Sequence, residues 1–146
     1  KLHMGDTGIA CALLGLDAAG LNNDRPLLGA MLETFVLQEL RRQASWRPVP
    51  IEFFHFRDRD DFEVDIVMEQ GHGAIAGVEV KAAASVRESD LRGLRKLRDA
   101  AGTRFAAGVI LYDGGAVIRF ESDLFAVPVR RLWEAGSPTR PRGQTA

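Results

Sequence analysis

The period of the hydrophobic pattern changes several times along the chain, and each change marks an element. Thr7 stands as a cap before a short apolar stretch, Gly8–Leu14, which predicts a first helix. Gly15–Asp24 then carries the Gly, Asn and Asp residues of a loop. Pro26 suits a first helical turn, and Leu27–Arg42 follows with Leu28, Met31, Leu32, Phe35, Val36 and Leu40 on one broad arc, the spacing of a largely buried helix. Ser45–Pro50 breaks it. Ile51–Phe56, rich in aromatics, reads as a strand closed by the charged turn Arg57–Asp61.

Phe62–Glu69 and Ala74–Lys81 are two further strands joined at Gln70–Gly73, a hairpin turning about His72. Helical spacing returns over Arg87–Ala101 through Leu91, Leu94 and Leu97. The unbroken apolar run Phe105–Tyr112 predicts a central strand covered on both faces. Asp113-Gly114-Gly115 signals a tight turn into Ala116–Phe120 as a closing hairpin, after which Leu124–Trp133 packs back on the body. Gly136–Ala146, with only its terminal Ala apolar, reads as a frayed tail. The whole predicts an α/β fold: a mixed sheet of about five strands flanked by helices, as one domain over residues 1–135.

Composition narrows the function classes. With 146 residues and 46% apolar content the chain can bury one good core but not two. Nineteen Lys and Arg against 20 Asp and Glu leave a net charge of −1, so any polyanion must be met by a local patch. The single cysteine, Cys11, has no disulfide partner and no zinc-ligand spacing around it, which fits a reducing cytoplasm. No run is long and apolar enough for a membrane span, and no glycine-rich phosphate loop occurs.

The candidate chemistry lies in the hairpin. By strict alternation Glu63, Asp65 and Val67 share one side of its first strand, and Phe62, Val64, Ile66 and Met68 the other. In the next strand Ile75, Gly77, Glu79 and Lys81 point together. Symmetry about His72 sets position 65 opposite 79, so two carboxylates face each other across the strands at roughly 5 Å between Cβ atoms. Such like charges repel unless a divalent cation lies between them, and Mg²⁺ or Mn²⁺ suits hard carboxylate oxygens. Lys81 then supplies a cation beside the metal, able to orient water or stabilise charge on a phosphoryl oxygen.

Asp65, thirteen residues, then Glu79-Val80-Lys81 resembles the signature of the PD-(D/E)xK nuclease superfamily, with Val64 where that family's proline stands. Gly29–Glu33 is similar to the helix of archaeal Holliday-junction resolvases, in which a glutamate reaches the metal cluster. The resemblance implies Asp65, Glu79 and Glu33 as metal ligands, Lys81 as electrostatic catalyst, and a restriction-endonuclease-like core. Glu39 is the rival helix acid, nearer the centre of the apolar arc.

Over a wider span, Lys1–Ile9, Leu32–Val36 with Glu39-Leu40, Phe56–Asp58, Glu63–Asp65 and Glu79–Lys81 resemble the DUF4143 family, the C-terminal domain of prokaryotic AAA-type ATPases. That resemblance implies a fragment of a longer protein, an ATPase module as partner, and a task connected with DNA. The expectation is Mg²⁺-dependent phosphodiester hydrolysis. The alternative is a catalytically silent module that docks DNA or a partner protein onto the ATPase. A third reading, oligomerisation through exposed Leu124, Phe125 and Trp133, rests on apolar residues near the C-terminus.

The remaining charged and polar residues have plainer readings. Arg92, Arg95, Lys96 and Arg98, interleaved with Glu88, Asp90 and Asp99, fit the solvated side of a helix better than a phosphate track. His55 reads as a sheet histidine satisfied by a neighbour and His72 as an exposed hairpin tip.

Overall fold

The structure, a computed structural model, describes residues 3–134. The tail expected over Gly136–Ala146 lies outside the described residues. Helices α1 (Thr7–Leu13), α2 (Ala18–Asn23) and α3 (Arg25–Ala44) precede strands β1 (Ile51–Arg57), β2 (Glu63–Gln70) and β3 (Ile75–Lys81). A 3-10 turn (Glu88–Leu91) leads into α4 (Arg92–Ala101), and β4 (Phe105–Tyr112), β5 (Ile118–Arg119) and β6 (Leu124–Pro128) complete the sheet. It is a mixed α/β fold, with six strands in the order β1-β2-β3-β4-β6-β5. Among the described residues no helix is long and apolar enough to cross a membrane.

The three N-terminal helices share one starting device, an aspartate whose carboxylate takes an amide of the first turn. Asp6 accepts from Ile9 at 2.9 Å, Asp17 from Gly20 at 2.7 Å and Asp24 from Leu27 at 3.0 Å. Two expectations change accordingly. The cap of α1 is Asp6 rather than Thr7, and the stretch expected as a loop contains α2, whose signal is Asp17 followed by two alanines.

Strands β1 to β3 form an antiparallel meander with the β2–β3 register symmetric about His72, as Ile66 opposite Val78 and Val67 opposite Gly77 show. From β3 the chain crosses through α4 to β4, which lies parallel to it. The expected hairpin after β4 does not form. Instead β6 lies parallel to β4, and β5 pairs antiparallel with the outer side of β6.

Burial decides that order. Leu124, Ala126 and Pro128 alternate inward and are fully buried, whereas both residues of β5 are exposed, so the apolar strand takes the inner place. The turn itself folds back over Tyr112, whose hydroxyl donates to the Ala116 carbonyl at 2.7 Å. Its ring lies where a side chain on Gly114 would stand, since a Cβ there would be 1.9 Å from Tyr112 Cε2.

Two cores sandwich the sheet. Leu91, Leu94 and Leu97 pack with Val64, Val67, Ile110, Tyr112 and Leu124 on the α4 face. On the α3 face, Val36 packs with Ile66, Val78 and Leu111. β4 contributes to both, as its apolar run predicts. Leu124, expected as an exposed oligomerisation residue, is 0% exposed because β6 is an inner strand. Phe35, counted in the buried arc of α3, is half-exposed and rests against Trp133 with ring centroids 5.5 Å apart.

Candidate functional site

Asp65 stands at an irregularity that plain alternation does not reveal. Phe54 pairs with Val67 and Phe56 with Val64, so His55 of β1 faces two residues, Asp65 and Ile66, of β2. This is a β-bulge, a device that re-aims a side chain. Its consequence is a correction: Val64 joins Val67 on the α4 face, not Ile66 and Met68 on the α3 face. Just beyond the last regular β2–β3 pair, the Asp65 carboxylate accepts the amide of Val80 at 2.9 Å. It replaces a ladder bond and ties itself to the strand that carries Glu79 and Lys81. Asp65 also lines a hollow of about 200 Å³ with His3, Leu37 and Arg41.

Glu79 and Lys81 point together, as their spacing predicts, toward the start of α4. A Cβ on Gly93 would meet Glu79 Oε1 at 3.0 Å and the Glu63 carbonyl oxygen at 2.2 Å, so α4 can lie this close only with glycine there. The Lys81 ammonium donates to the Asp90 carboxylate, which also accepts from the Arg87 amide at 2.7 Å. Burial pushes the Asp90 carboxyl up, but the bond from Lys81, the Arg87 amide and both positive charges outweigh it and hold the group below its ordinary value. Asp90 is the residue sequence reasoning missed as a partner of the site. Its only signal was its place in the turn before a helix.

Glu33 and Glu39 separate clearly. Glu33 is mostly buried, with Oε1 3.6 Å from Nε2 of His3, and His3 lines the same hollow as Asp65. The other ring nitrogen of His3 lies 3.2 Å from the Thr34 hydroxyl. Glu39 instead binds Arg42 Nε at 2.9 Å and Gln43 at 2.7 Å, and Gln43 reaches the Leu132 carbonyl at 2.8 Å. The Arg42 hydrogen bond, before all else, holds the Glu39 carboxyl below its ordinary value. Glu39 therefore fastens α3, through Gln43, to the 3-10 turn Val129–Leu132, and Glu33 is the helix acid near the Asp65 hollow.

Among the described residues no three His, Cys, Asp or Glu side chains are grouped to hold a metal ion between them. Asp65, Glu79 and Glu33 thus form no ready-made three-ligand cage.

The other polar residues behave as the plainer readings expect. His55 Nε2 lies 3.4 Å from Glu63, and His72 is exposed at the hairpin tip. On α4, Arg95 pairs with Glu88 and Glu121, Arg98 with Glu121 and Asp123, and Lys96 approaches Asp60 at 3.5 Å.

Comparison with known proteins places the chain. It is 30% identical over 138 residues to the uncharacterized proteins Rv2008c of Mycobacterium tuberculosis and Mb2031c of Mycobacterium bovis. Each match covers 94% of this chain but only 29% of the relative's length. Among solved structures, a chain in the tetradecameric assembly of Thermococcus gammatolerans McrB AAA+ hexamers with bound McrC matches with a TM-score of 0.50 and 17% identity. That likeness covers 68% of this chain and 27% of the other, and it concerns the fold alone. The model of the family described as "Domain of unknown function (DUF4143)" matches residues 28–132, most of the described structure, and the chain belongs to that family.

Proposed function

We propose that this domain is a PD-(D/E)xK-type nuclease module that hydrolyses DNA phosphodiesters with Mg²⁺ and works beside an AAA-type ATPase. The observation that carries the reading is the bulge at Asp65, which joins its carboxylate to the strand of Glu79-Val80-Lys81. Asp65 and Glu79 would hold the ion, with Glu33 supporting from α3. When bound, Mg²⁺ would polarise a phosphoryl oxygen and acidify a water molecule. Lys81 places a positive charge beside Glu79, where charge builds on phosphate oxygens. Asp90 orients that ammonium. The ATPase is brought in by the DUF4143 resemblance, and the AAA+ assembly found among similar folds is in keeping with it.

The test is calorimetric titration of Mg²⁺ and Mn²⁺ into the chain and into Glu79→Ala, followed by plasmid nicking in the same buffers. Metal binding lost in the variant, together with metal-dependent nicking, is the expected result. A wild-type chain that binds neither ion refutes the hydrolytic reading. One observation favours a second reading, a silent docking module: Asp90 already occupies Lys81, and α4 spends Arg95, Arg98 and Lys96 on acids of this chain. In that case replacing Asp65 and Glu79 by Asn and Gln leaves DNA or partner binding intact.

A further inference from the structure

The sheet ends in two edge strands of very different length. β5 has two residues, too few to template another strand, whereas β1 has seven and among the described residues pairs with β2 alone. From Ile51 to Phe54 its register with β2 is unbroken, residue for residue, up to the bulge at His55. Alternate residues of that stretch therefore turn their amides and carbonyls away from the sheet. Among the described residues no other backbone segment takes those groups.

A hollow of about 700 Å³ lies against the same stretch, with Ile51, Glu52, Phe53 and Phe54 in succession on one wall and Arg41, Ser45 and Arg47, from the end of α3, on the other. Phe53, whose register partner is Met68, points to the α3 face, and Ile51 alternates with it. Phe54, whose partner Val67 belongs to the α4 core, points the opposite way, as does Glu52. A hollow touched by four consecutive residues of both kinds follows the edge of the strand and not one face of the sheet. It is a trench between free backbone groups and a helix end.

Charge decides what fits the trench. Its cations, Arg41 and Arg47, are exposed and come from the α3 side, while Glu52 points to the α4 side beside the half-exposed Phe54. A second copy of the chain does not complement that arrangement. Its β1, paired antiparallel, would set Ile51, Phe53, His55 and Arg57 on the α3 side, and its β5 consists of Ile118 and Arg119, so neither edge brings an acid there. We propose that the β1 edge binds an extended acidic peptide segment of a partner protein by strand addition. The partner's backbone continues the sheet beyond β1, its carboxylates meet Arg41 and Arg47 on the α3 side, and its alternate apolar side chains lie beside Phe54 on the other. Main-chain hydrogen bonds supply the affinity in this mode of recognition and alternating side chains the specificity. The proposal goes beyond the hydrolytic reading and does not depend on it.

The experiment is fluorescence anisotropy with a fluorescein-labelled peptide of about eight residues alternating Glu and Val, long enough at about 3.4 Å per residue to pass the whole stretch Ile51–Phe54. The chain is expected to bind it, and to bind the matching Lys–Val peptide at least about tenfold more weakly. Arg41→Ala/Arg47→Ala should weaken the Glu–Val peptide about fivefold or more, a difference that added salt narrows. Both arginines are exposed, so an unchanged melting temperature checks that the variant folds. Backbone pairing has its own readout. N-methylation of every valine or of every glutamate blocks one of the two alternate sets of peptide amides, of which one faces β1 and the other solvent. One methylated peptide should lose binding and the other keep it, and bound peptide should slow hydrogen exchange at the outward amides of Ile51–Phe54. Absence of binding by wild type, equal binding of the Lys–Val peptide, unchanged affinity in the double variant, the same result for both methylation patterns, or unchanged exchange in β1 overturns the proposal. So does light scattering that shows a dimer whose β1 amides are already protected, since the occupant is then a second copy.

Discussion

The two faces of the sheet are built on opposite principles. On the α4 face the helix comes down on missing side chains. Gly77 and Gly108 are register partners on β3 and β4, and a Cβ on either would stand 2.6 Å from a leucine methyl, Leu97 in one case and Leu124 in the other. Gly93 lets the helix itself approach Glu63 and Glu79. On the α3 face the strands present Ile66, Val78 and Leu111, and the helix buries polar groups, Thr34 and Glu39 among them. Close apolar packing fixes positions, so the α4 face holds Glu79 and Lys81 in place. The more open α3 side supplies the hollows beside Asp65. The candidate site lies where the rigid face and the open one meet, at the start of β2 and the end of β3.

This contrast can be broken most forcefully at Gly93. Gly93→Ala sets a methyl group against a backbone oxygen that has no rotamer to escape into, so destabilisation above about 3 kcal/mol is expected in urea titration. Retention of wild-type stability would show that α4 is not seated as described. Next in size is a matched pair of truncations. Leu94→Ala, in the fully buried core under α4, should cost about 2–5 kcal/mol, and Leu40→Ala, partly buried on the α3 face, about half as much. Equal losses would erase the distinction between the faces.

A third prediction concerns acid. The Asp90 carboxyl is held below its ordinary value in the folded chain, so its contribution is full above the unfolded value near 3.8 and is lost as the pH falls through the folded value. Asp90→Asn should therefore lower the melting temperature at neutral pH, with the gap to wild type closing on the acid side of that window. A gap that widens on acidification contradicts the Lys81–Asp90 link. The smallest effect is expected for Glu121→Gln, which leaves Arg95 its bond to Glu88 and Arg98 its bond to Asp123 and should shift the melting temperature less than any variant above.

How much of this was legible beforehand differs by kind of signal. Local pattern was sufficient for α3, for all three strands of the meander and for the Glu79–Lys81 face, because alternation in β3 runs unbroken. It failed at Asp65. Glu63–Met68 alternates as cleanly as any strand on paper, and the bulge exists only relative to β1, through the pairings of Phe54 and Phe56. It failed again after β4, where Asp113-Gly114-Gly115 reads locally as a hairpin turn while the inner place in the sheet goes to the more apolar β6. Asp90 was hidden among the charges of a solvated helix start, since a partner nine residues away on a strand leaves no mark on helical spacing.

The glycine pair beneath α4 also bears on how the chain acquires its fold. Gly77 and Gly108 make a seat only when β3 and β4 lie side by side, yet the segment joining those strands is the one that carries the helix to be seated. Neither half precedes the other. Strand pairing across this crossover and docking of α4 belong to one cooperative event, and their amides should exchange with solvent as a single unit, slower than those of α1 and α2.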